Sequence, residues 1–347
     1  MRVLVTGGAG FIGSAVVDLL VSRGHQIRVL DNLSPSAHAV MPAYLNPEAE
    51  YVWADVADAD ATARAVAGVD AVSHQAARVG LGVDFRDVTA YVQDNDTATA
   101  VLLRCLYELR WQGRLALASS MVVYGEGAYR CPSCGPMAAR PRTAERLAVG
   151  RFEPDCARCG ADLVPEAVTE EAPADPRNTY AATKLHQEHL CTVFGRERGV
   201  PVTCLRYHNV YGPRCPVDTP YAGVASLFVA ALRRGEAPRV FEDGAQRRDF
   251  VHVRDVARAN VAALAAEPAV TGAVNIASGR PRTVLELATA LAAAAGRPDL
   301  APVVTGQWRL GDVRHVTASA DRAATELGFV AEVPFATGMA ELAATPA

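Results

Sequence analysis

The first fourteen residues, MRVLVTGGAGFIGS, constrain the fold more than any other stretch. An apolar strand, Val3-Leu4-Val5, runs straight into Gly7, Gly8, Gly10 and Gly13. A strand that ends in a G-x-x-G-x-x-G turn and opens a helix lets backbone approach a pyrophosphate, and it aims free N–H groups from the positive helix end at the anion. Phe11, Ile12, Val16, Val17, Leu19 and Leu20 then follow at helical spacing until Gly24 stops the helix. A second strand, Ile27-Arg28-Val29-Leu30, ends on Asp31, 18 residues after Gly13. An acid at that point receives the adenosine ribose hydroxyls and repels a 2′-phosphate, which favours NAD over NADP.

The 347 residues suffice for one large or two interleaved domains with a substantial core. A net charge of −4 gives no basic footprint for nucleic acid. No apolar run reaches the length of a membrane span, and the chain enters its first strand at once, without room for a signal peptide; the expected location is cytoplasmic. Short apolar runs at Tyr51-Val52-Trp53, Ala71-Val72-Ser73 and Leu115-Ala116-Leu117-Ala118 alternate with helical segments. That alternation predicts an α/β fold with a doubly wound parallel sheet, whose ligands lie beyond the carboxyl ends of the strands. The residues there are Asp55, His74-Gln75-Ala76-Ala77 and Ser119-Ser120. Asp55 can take the adenine amino group or belong to a solvated turn with Asp58, and the small Ala76-Ala77 pair admits close backbone. A helix from about Ala90 to Leu109 carries Asn95 near its start and an apolar face wide enough to pack on two sides, one against a partner chain.

Chemistry enters with Tyr180-Ala-Ala-Thr-Lys184. Positions i and i+4 share a helix face, so the lysine ammonium sits beside the phenol and, with a positive nicotinamide ring, favours phenolate. Such a tyrosine can take a proton from a sugar hydroxyl while hydride leaves the same carbon. Ser120, at the end of the fifth strand, is placed to hydrogen-bond the reacting oxygen.

At this point the chain resembles the extended short-chain dehydrogenase/reductase family, specifically its nucleotide-sugar epimerases and dehydratases. The resemblance runs through TGGAGFIG at 6–13, DN at 31–32, HQAA at 74–77, SSMVVYG at 119–125 and YAATK at 180–184. It continues with LRYHNVYGPR at 205–214, RRDFVHVRDV at 247–256 and RLGDVRH at 309–315. It implies Tyr180 as base, Lys184 as its tuner and ribose ligand, and Ser120 as partner of the substrate hydroxyl. The cofactor set it implies is Gly7, Gly10, Phe11, Ile12, Gly13, Asp31, Asn32, Asp55, Val56, Gln75, Ala76, Ala77, Asn95, Ser119, Tyr180, Lys184 and Tyr207 around tightly held NAD. The substrate set is Ser120, Met121, Asn209, Arg248, Arg309 and Asp312, the arginines suiting a diphosphate because they are permanently charged and bidentate.

Two positions separate reaction types within the family. Similar 4,6-dehydratases carry Asp-Glu after the serine, and similar sugar-acid decarboxylases carry a glutamate before Val-Tyr-Gly. This chain has Met121 and Val122. Without a carboxyl group there, the expectation is 4-epimerisation of a nucleotide-diphosphate sugar, which needs only the tyrosine and NAD. His208 stands where related epimerases carry Phe and is expected to pack. A lyase or reductase of the same fold, and a non-catalytic NAD-binding interaction protein, are the competing readings.

Between Gly125 and Tyr180 lie 54 residues, and related proteins bridge this gap with a much shorter segment. The excess holds Cys131-Pro-Ser-Cys134-Gly and Cys156-Ala-Arg-Cys159-Gly, with 21 residues between them. Four thiolates at this spacing predict a tetrahedral, structural Zn2+ site in an insert at 127–166; two redox pairs or four free thiols are the alternatives. The insert is expected at the pocket mouth or a dimer edge. Cys105, Cys191, Cys204 and Cys215 read as ordinary small core residues. Inserts of this kind resemble those of a subset of bacterial epimerases acting on dTDP-6-deoxysugars, including dTDP-L-rhamnose 4-epimerases, with UDP-glucose/galactose 4-epimerisation the rival. The predicted organisation is an NAD-binding domain over 1–203 and an interleaved substrate domain over 204–347, in a homodimer.

Overall fold

The computed structural model describes residues 1–35, 37–38, 40–80, 84–216 and 223–345. Strand periodicity sets the layers. β1 (Arg2–Thr6) sends Val3 and Val5 into one apolar cluster and Leu4 into another, so both faces of the sheet are covered. β2 (Gln26–Asp31), β3 (Glu50–Trp53), β4 (Ala71–His74) and β5 (Arg114–Ser120) follow. After the inserted β6 (Ala128–Cys131), β7 (Gly135–Met137) and β8 (Val164–Glu166), the chain returns as β9 (Val202–Tyr207). The central sheet runs Gly272–Ile276, β9, β5, β4, β1, β2, β3, with every neighbouring pair parallel. The chain crosses from β3 back to β4 on the far side of β1, and the crevice at that reversal is where an open α/β sheet takes its ligand.

Helices Phe11–Ser22 and Val253–Ala265 cover one face, and Ala59–Val66, Ala98–Glu108 and Thr179–Arg198 cover the other. The sequence boundary after residue 203 falls inside β9, and Gly272–Ile276 closes the same sheet, so the sheet takes strands from both sides of that boundary. A second core, from helices Val224–Arg233, Val284–Ala294 and Phe335–Ala343, packs beside it. Thr283 starts the middle of these with a capping box, its hydroxyl accepting from the Glu286 amide while Glu286 accepts from the Thr283 amide.

The uninterrupted helix expected near 90–109 is instead a short helix Val88–Tyr91, a π-helical turn Val92–Thr97 and a helix Ala98–Glu108. The π turn turns Asn95 inward: its Nδ2 donates to Thr183 Oγ1 at 2.9 Å and its Oδ1 accepts from the Arg78 amide at 2.7 Å. Val92, Tyr107 and Leu109 on this segment, with Val193 on the neighbouring helix, are exposed in the single chain. Among the described residues no helix is long and apolar enough to cross a membrane.

The insert is a three-stranded antiparallel sheet, β7-β6-β8, with one short helix, Ala144–Ala148. Its own core is small: Tyr129, Cys131, Ala139, Cys156 and Leu163. It packs against residues 312–315. The Tyr129 and His315 rings lie 6.2 Å apart, and a Cβ on Gly127 would fall 2.8 Å from the His315 carbonyl oxygen.

Candidate active site and a four-cysteine centre

The turn after β1 is built by close approach. Gly7 adopts φ +67°, and a Cβ there would sit 2.7 Å from the Ala76 backbone; a Cβ on Gly13 would sit 2.1 Å from the Gly7 carbonyl oxygen. These contacts seat the helix start directly on the strand ends. A cleft of about 400 Å³ runs from this turn along the carboxyl ends of the strands. Its walls bring together Gly7, Gly10, Phe11, Ile12, Gly13, Asp31, Asn32, Asp55, Val56, Gln75, Ala76, Ala77, Ser119, Tyr180, Lys184, Tyr207 and Asn209, all named from the sequence.

Asp31 is buried and fixed by the glycine turn: Oδ2 accepts from the Ala9 amide at 3.0 Å and Oδ1 from the Leu33 amide at 2.8 Å. A carboxylate oxygen accepts more than one hydrogen bond, so both keep capacity toward the cleft. Asn32 donates to Asp55 at 2.8 Å, joining the ends of β2 and β3. Tyr207 takes a bond from Asn260 at 2.7 Å and gives one to Gln75 at 3.2 Å.

At the opposite end, Asn178 caps the helix Thr179–Arg198 by accepting from the Ala181 amide at 2.9 Å, which holds Tyr180 in the first turn. The Lys184 amine donates to the Ala118 carbonyl at 2.9 Å and stands 5.9 Å from the Tyr180 ring centre. Burial pushes the Tyr180 phenol up to about 12, opposed by the Ser120 hydroxyl that bonds it. Burial also lowers Lys184, to about 8. The expected acidification of the phenol by Lys184 is therefore outweighed, in the chain by itself, by desolvation. Ser119 is turned away from the reaction, its hydroxyl bonded to Glu188, which also receives Arg206.

Several expected ligands lie outside the cleft lining. Asn95 is fully buried behind the wall and bonded to Arg78 and Thr183, so it braces the site. Ser120 reaches the site through Tyr180, and Met121 packs with the Val123–Tyr124 cluster. Arg248 gives its guanidinium to the carbonyls of Arg247, Val313 and Arg314 at 2.7–2.9 Å. Arg309 is exposed, 5.0 Å from the centre of the Phe241 ring, and Asp312 follows it on the same segment. Asn209 does line the cleft, and its buried Oδ1 has no hydrogen-bond partner among the described residues. His208 is buried as expected, with burial holding its imidazole down to about 3.

Cys215 departs from the core role read for it: it lines the cleft, its Sγ 3.2 Å from Ser226 Oγ. The Arg78–Asp94 pair, at 2.8 Å, also lines the cleft and was not anticipated, although Arg78 directly follows Ala76-Ala77.

In the insert, the four cysteine sulfurs all lie within 4.8 Å of one another. The Arg158 amide donates to Cys156 Sγ at 3.4 Å, and with the Cys159 amide it lowers that thiol to about 6. Four sulfurs this close together, with amides turned to Cys156, fit the donor set of a closed tetrahedral metal centre.

A parallel doubly wound sheet, a glycine turn opening onto a buried acid and a Ser/Tyr/Lys group at the far end of the cleft define a dinucleotide-fold protein. The chain belongs to the NAD dependent epimerase/dehydratase family, whose sequence profile matches residues 3–144 and 157–277. It is 34% identical over 349 residues to a dTDP-L-rhamnose 4-epimerase of Burkholderia thailandensis, covering 98% of this chain and 93% of that one. It is 31% identical to a UDP-glucose 4-epimerase of Mycolicibacterium smegmatis, covering 98% and 97%. Among solved structures it is similar to a Thermotoga maritima UDP-glucose 4-epimerase with UDP-glucose (TM-score 0.80, 30% identity, 99% and 97% covered). It is also similar to a Thermus thermophilus UDP-glucose 4-epimerase complexed with NAD (TM-score 0.78, 29% identity, 99% and 98% covered).

Proposed function

We propose that the protein is an NAD-dependent nucleotide-sugar 4-epimerase acting on a dTDP-6-deoxyhexose such as dTDP-L-rhamnose. The observation that carries this reading is the placement of Tyr180, with Ser120 and Lys184, at one end of a cleft whose other end is the Gly7–Gly13 turn and Asp31. Met121 and Val122 leave that end without the carboxyl groups an elimination would use.

The glycine turn and Asp31 would hold the pyrophosphate and adenosine ribose of NAD, which accepts a hydride from C4 and returns it. Ser120 bonds the reacting oxygen, and Tyr180 takes the hydroxyl proton as the sugar carbon is oxidised. The 4-keto sugar then presents its other face, and Tyr180 gives the proton back to the same oxygen as that face is reduced. Lys184 orients the helix against β5 and supplies positive charge beside the phenol. Asn209, which lines the cleft and whose Oδ1 has no hydrogen-bond partner among the described residues, would meet the sugar-nucleotide end.

Cys131, Cys134, Cys156 and Cys159 would hold a structural Zn2+, since an insert with so small a core needs metal closure for stability. One zinc per chain by metal analysis, lost together with cooperative unfolding of the insert in C131S, is the expected result; a metal-free, fully folded wild type contradicts it. The exposed Val92, Tyr107, Leu109 and Val193 support a homodimer across these helices, checked by sedimentation.

The decisive experiment is to incubate the protein as purified, with no added cofactor, with dTDP-L-rhamnose and separately with UDP-glucose, following C4 configuration by NMR. Conversion of the dTDP sugar alone supports the reading. Conversion of UDP-glucose alone transfers it to the rival substrate, and accumulation of a 4-keto or pentose product replaces it with a lyase.

A further inference from the structure

We propose that Arg142, together with Glu153, is a positioning residue for nucleotide-diphosphate binding: the cysteine-bearing insert fixes the main chain of residues 309–315 and so sets the affinity of the cleft for its nucleotide. The inference adds to the proposed function the two substrate ligands that the family resemblance implies, Arg309 and Asp312, although neither lines the cleft in the chain by itself, and it rests on that reading.

The Arg142 side chain is only 3% exposed. Its Nη2 donates to the Asp312 carbonyl at 2.7 Å, and its Nη1 reaches the Phe152 carbonyl at 3.1 Å and Glu242 at 2.8 Å. A guanidinium is costly to bury, and this one ends on the backbone of the segment that carries Arg309. Glu153 makes a second tie. Its Oε1 accepts from Arg314 Nε and Nη2 at 2.9 and 2.7 Å, and its Oε2 lies 2.9 Å from His315 Nε2. Burial holds His315 neutral, so its Nε2–H donates to Glu153 while Nδ1 accepts from the Arg247 amide at 3.0 Å. Arg314, 1% exposed, completes the network on Glu242 and Asp243.

Both ties come from the insert, and one of them from outside the common family profile. Glu153 lies in 145–156, the stretch that the family profile leaves unmatched. Among the described residues, the backbone–backbone bond within 309–312 is a long Asp312 amide to Arg309 carbonyl contact, 3.4 Å. Arg142 on Asp312, Glu153 on Arg314 and His315, and Arg248 on the 313–314 carbonyls are therefore among the fixed points of this segment, beside Glu126 and Tyr129 on the Arg314 and His315 amides and the Arg314 ion pairs.

The test compares wild type, R142M, R142K, E153Q and R309M, each loaded with NAD. Calorimetry measures dTDP and UDP affinity, hydrogen exchange reads residues 308–313, and zinc, NAD content and melting temperature are recorded alongside. R142M and E153Q should weaken nucleotide binding by about tenfold, the worth of one charge-assisted hydrogen bond. They should raise KM more than they lower kcat, speed exchange at 308–313 and leave NAD and zinc content unchanged, with R142K recovering part of the loss. If R309M weakens binding while R142M and E153Q stay within twofold of wild type, the positioning role is overturned, whatever their melting temperatures. If R309M also binds normally, the substrate assignment of the segment fails, and the proposal with it. Should R142M not fold, E153Q decides alone, since Glu153 is partly exposed and keeps its shape as glutamine.

Discussion

Lys184 places its amine on the carbonyl of Ala118, 2.9 Å away, four residues along the helix from Tyr180 and beneath the end of β5. A buried amine in that position is held near pH 8 instead of 10.5, because taking its charge out of water is costly. Between those two values the unfolded chain binds more protons than the folded one, so stability rises with pH across about 8 to 10.5; below pH 8 the burial cost is present in full. Urea melts of wild type and K184M over this range should differ by a slope that wild type alone shows, totalling roughly 3 kcal/mol. Parallel curves would mean that Lys184 is not desolvated as described.

Tyr180 is the group the proposed reaction depends on most directly. Y180F keeps the ring and removes only the proton carrier. Epimerisation should fall by about 10² to 10⁴-fold with NAD content unchanged. Because burial raises the phenol to about 12, wild-type kcat should climb from neutral into alkaline pH, and that limb should vanish in the variant. A Y180F enzyme with near-normal turnover would remove the tyrosine from the mechanism.

Behind the site, Arg206 grips Glu188 with two bonds, Nε to Oε1 at 2.9 Å and Nη2 to Oε2 at 2.8 Å, both side chains nearly inaccessible. Removing one partner leaves the other charge buried alone, so E188A should lose about 3 to 5 kcal/mol of stability. The double change E188A/R206M removes both charges and should cost less than E188A by itself. Additive losses in denaturant titrations would show that the pair does not act as a unit.

The sheet and the cofactor end of the cleft were legible in the sequence because they depend on local signals. The apolar runs and the glycine spacing are each read within a few residues, and Asp31 ends the very next strand, 18 residues after Gly13. The Tyr180–Lys184 relation is likewise a one-turn helix relation. What escaped was decided by tertiary contacts: the π turn brings Asn95 onto Arg78 and Thr183, far apart in sequence, and Cys215 lines the cleft beside Ser226. The family resemblance implies Arg248 and Arg309 as substrate ligands, and a sequence does not tell which carbonyls or rings a guanidinium also meets. The insert's attachment was invisible for the same reason, since Arg142 and Asp312 are 170 residues apart.

Gly13 supplies the sharpest test of the cofactor end. A Cβ there would meet the Gly7 carbonyl oxygen at 2.1 Å and Gly8 Cα at 2.9 Å, all of it backbone that cannot rotate aside. G13A must therefore push the helix start away from the strand ends, moving the N–H groups off the pyrophosphate position. The change sits at the helix start and leaves the apolar cluster on the opposite sheet face untouched, so the variant should still fold. It should be isolated with NAD content reduced at least tenfold, and added NAD should restore activity only at far higher concentration, the expected result of displacing a close-contact anion site. Gly24, where a Cβ would meet nothing within 4 Å, serves as the control for backbone conformation: its φ of +76° makes G24A strained, so G24A should lose stability yet retain NAD. If G13A co-purifies with a full complement of NAD, the glycine turn is not the cradle that the sequence and the cleft assign to it.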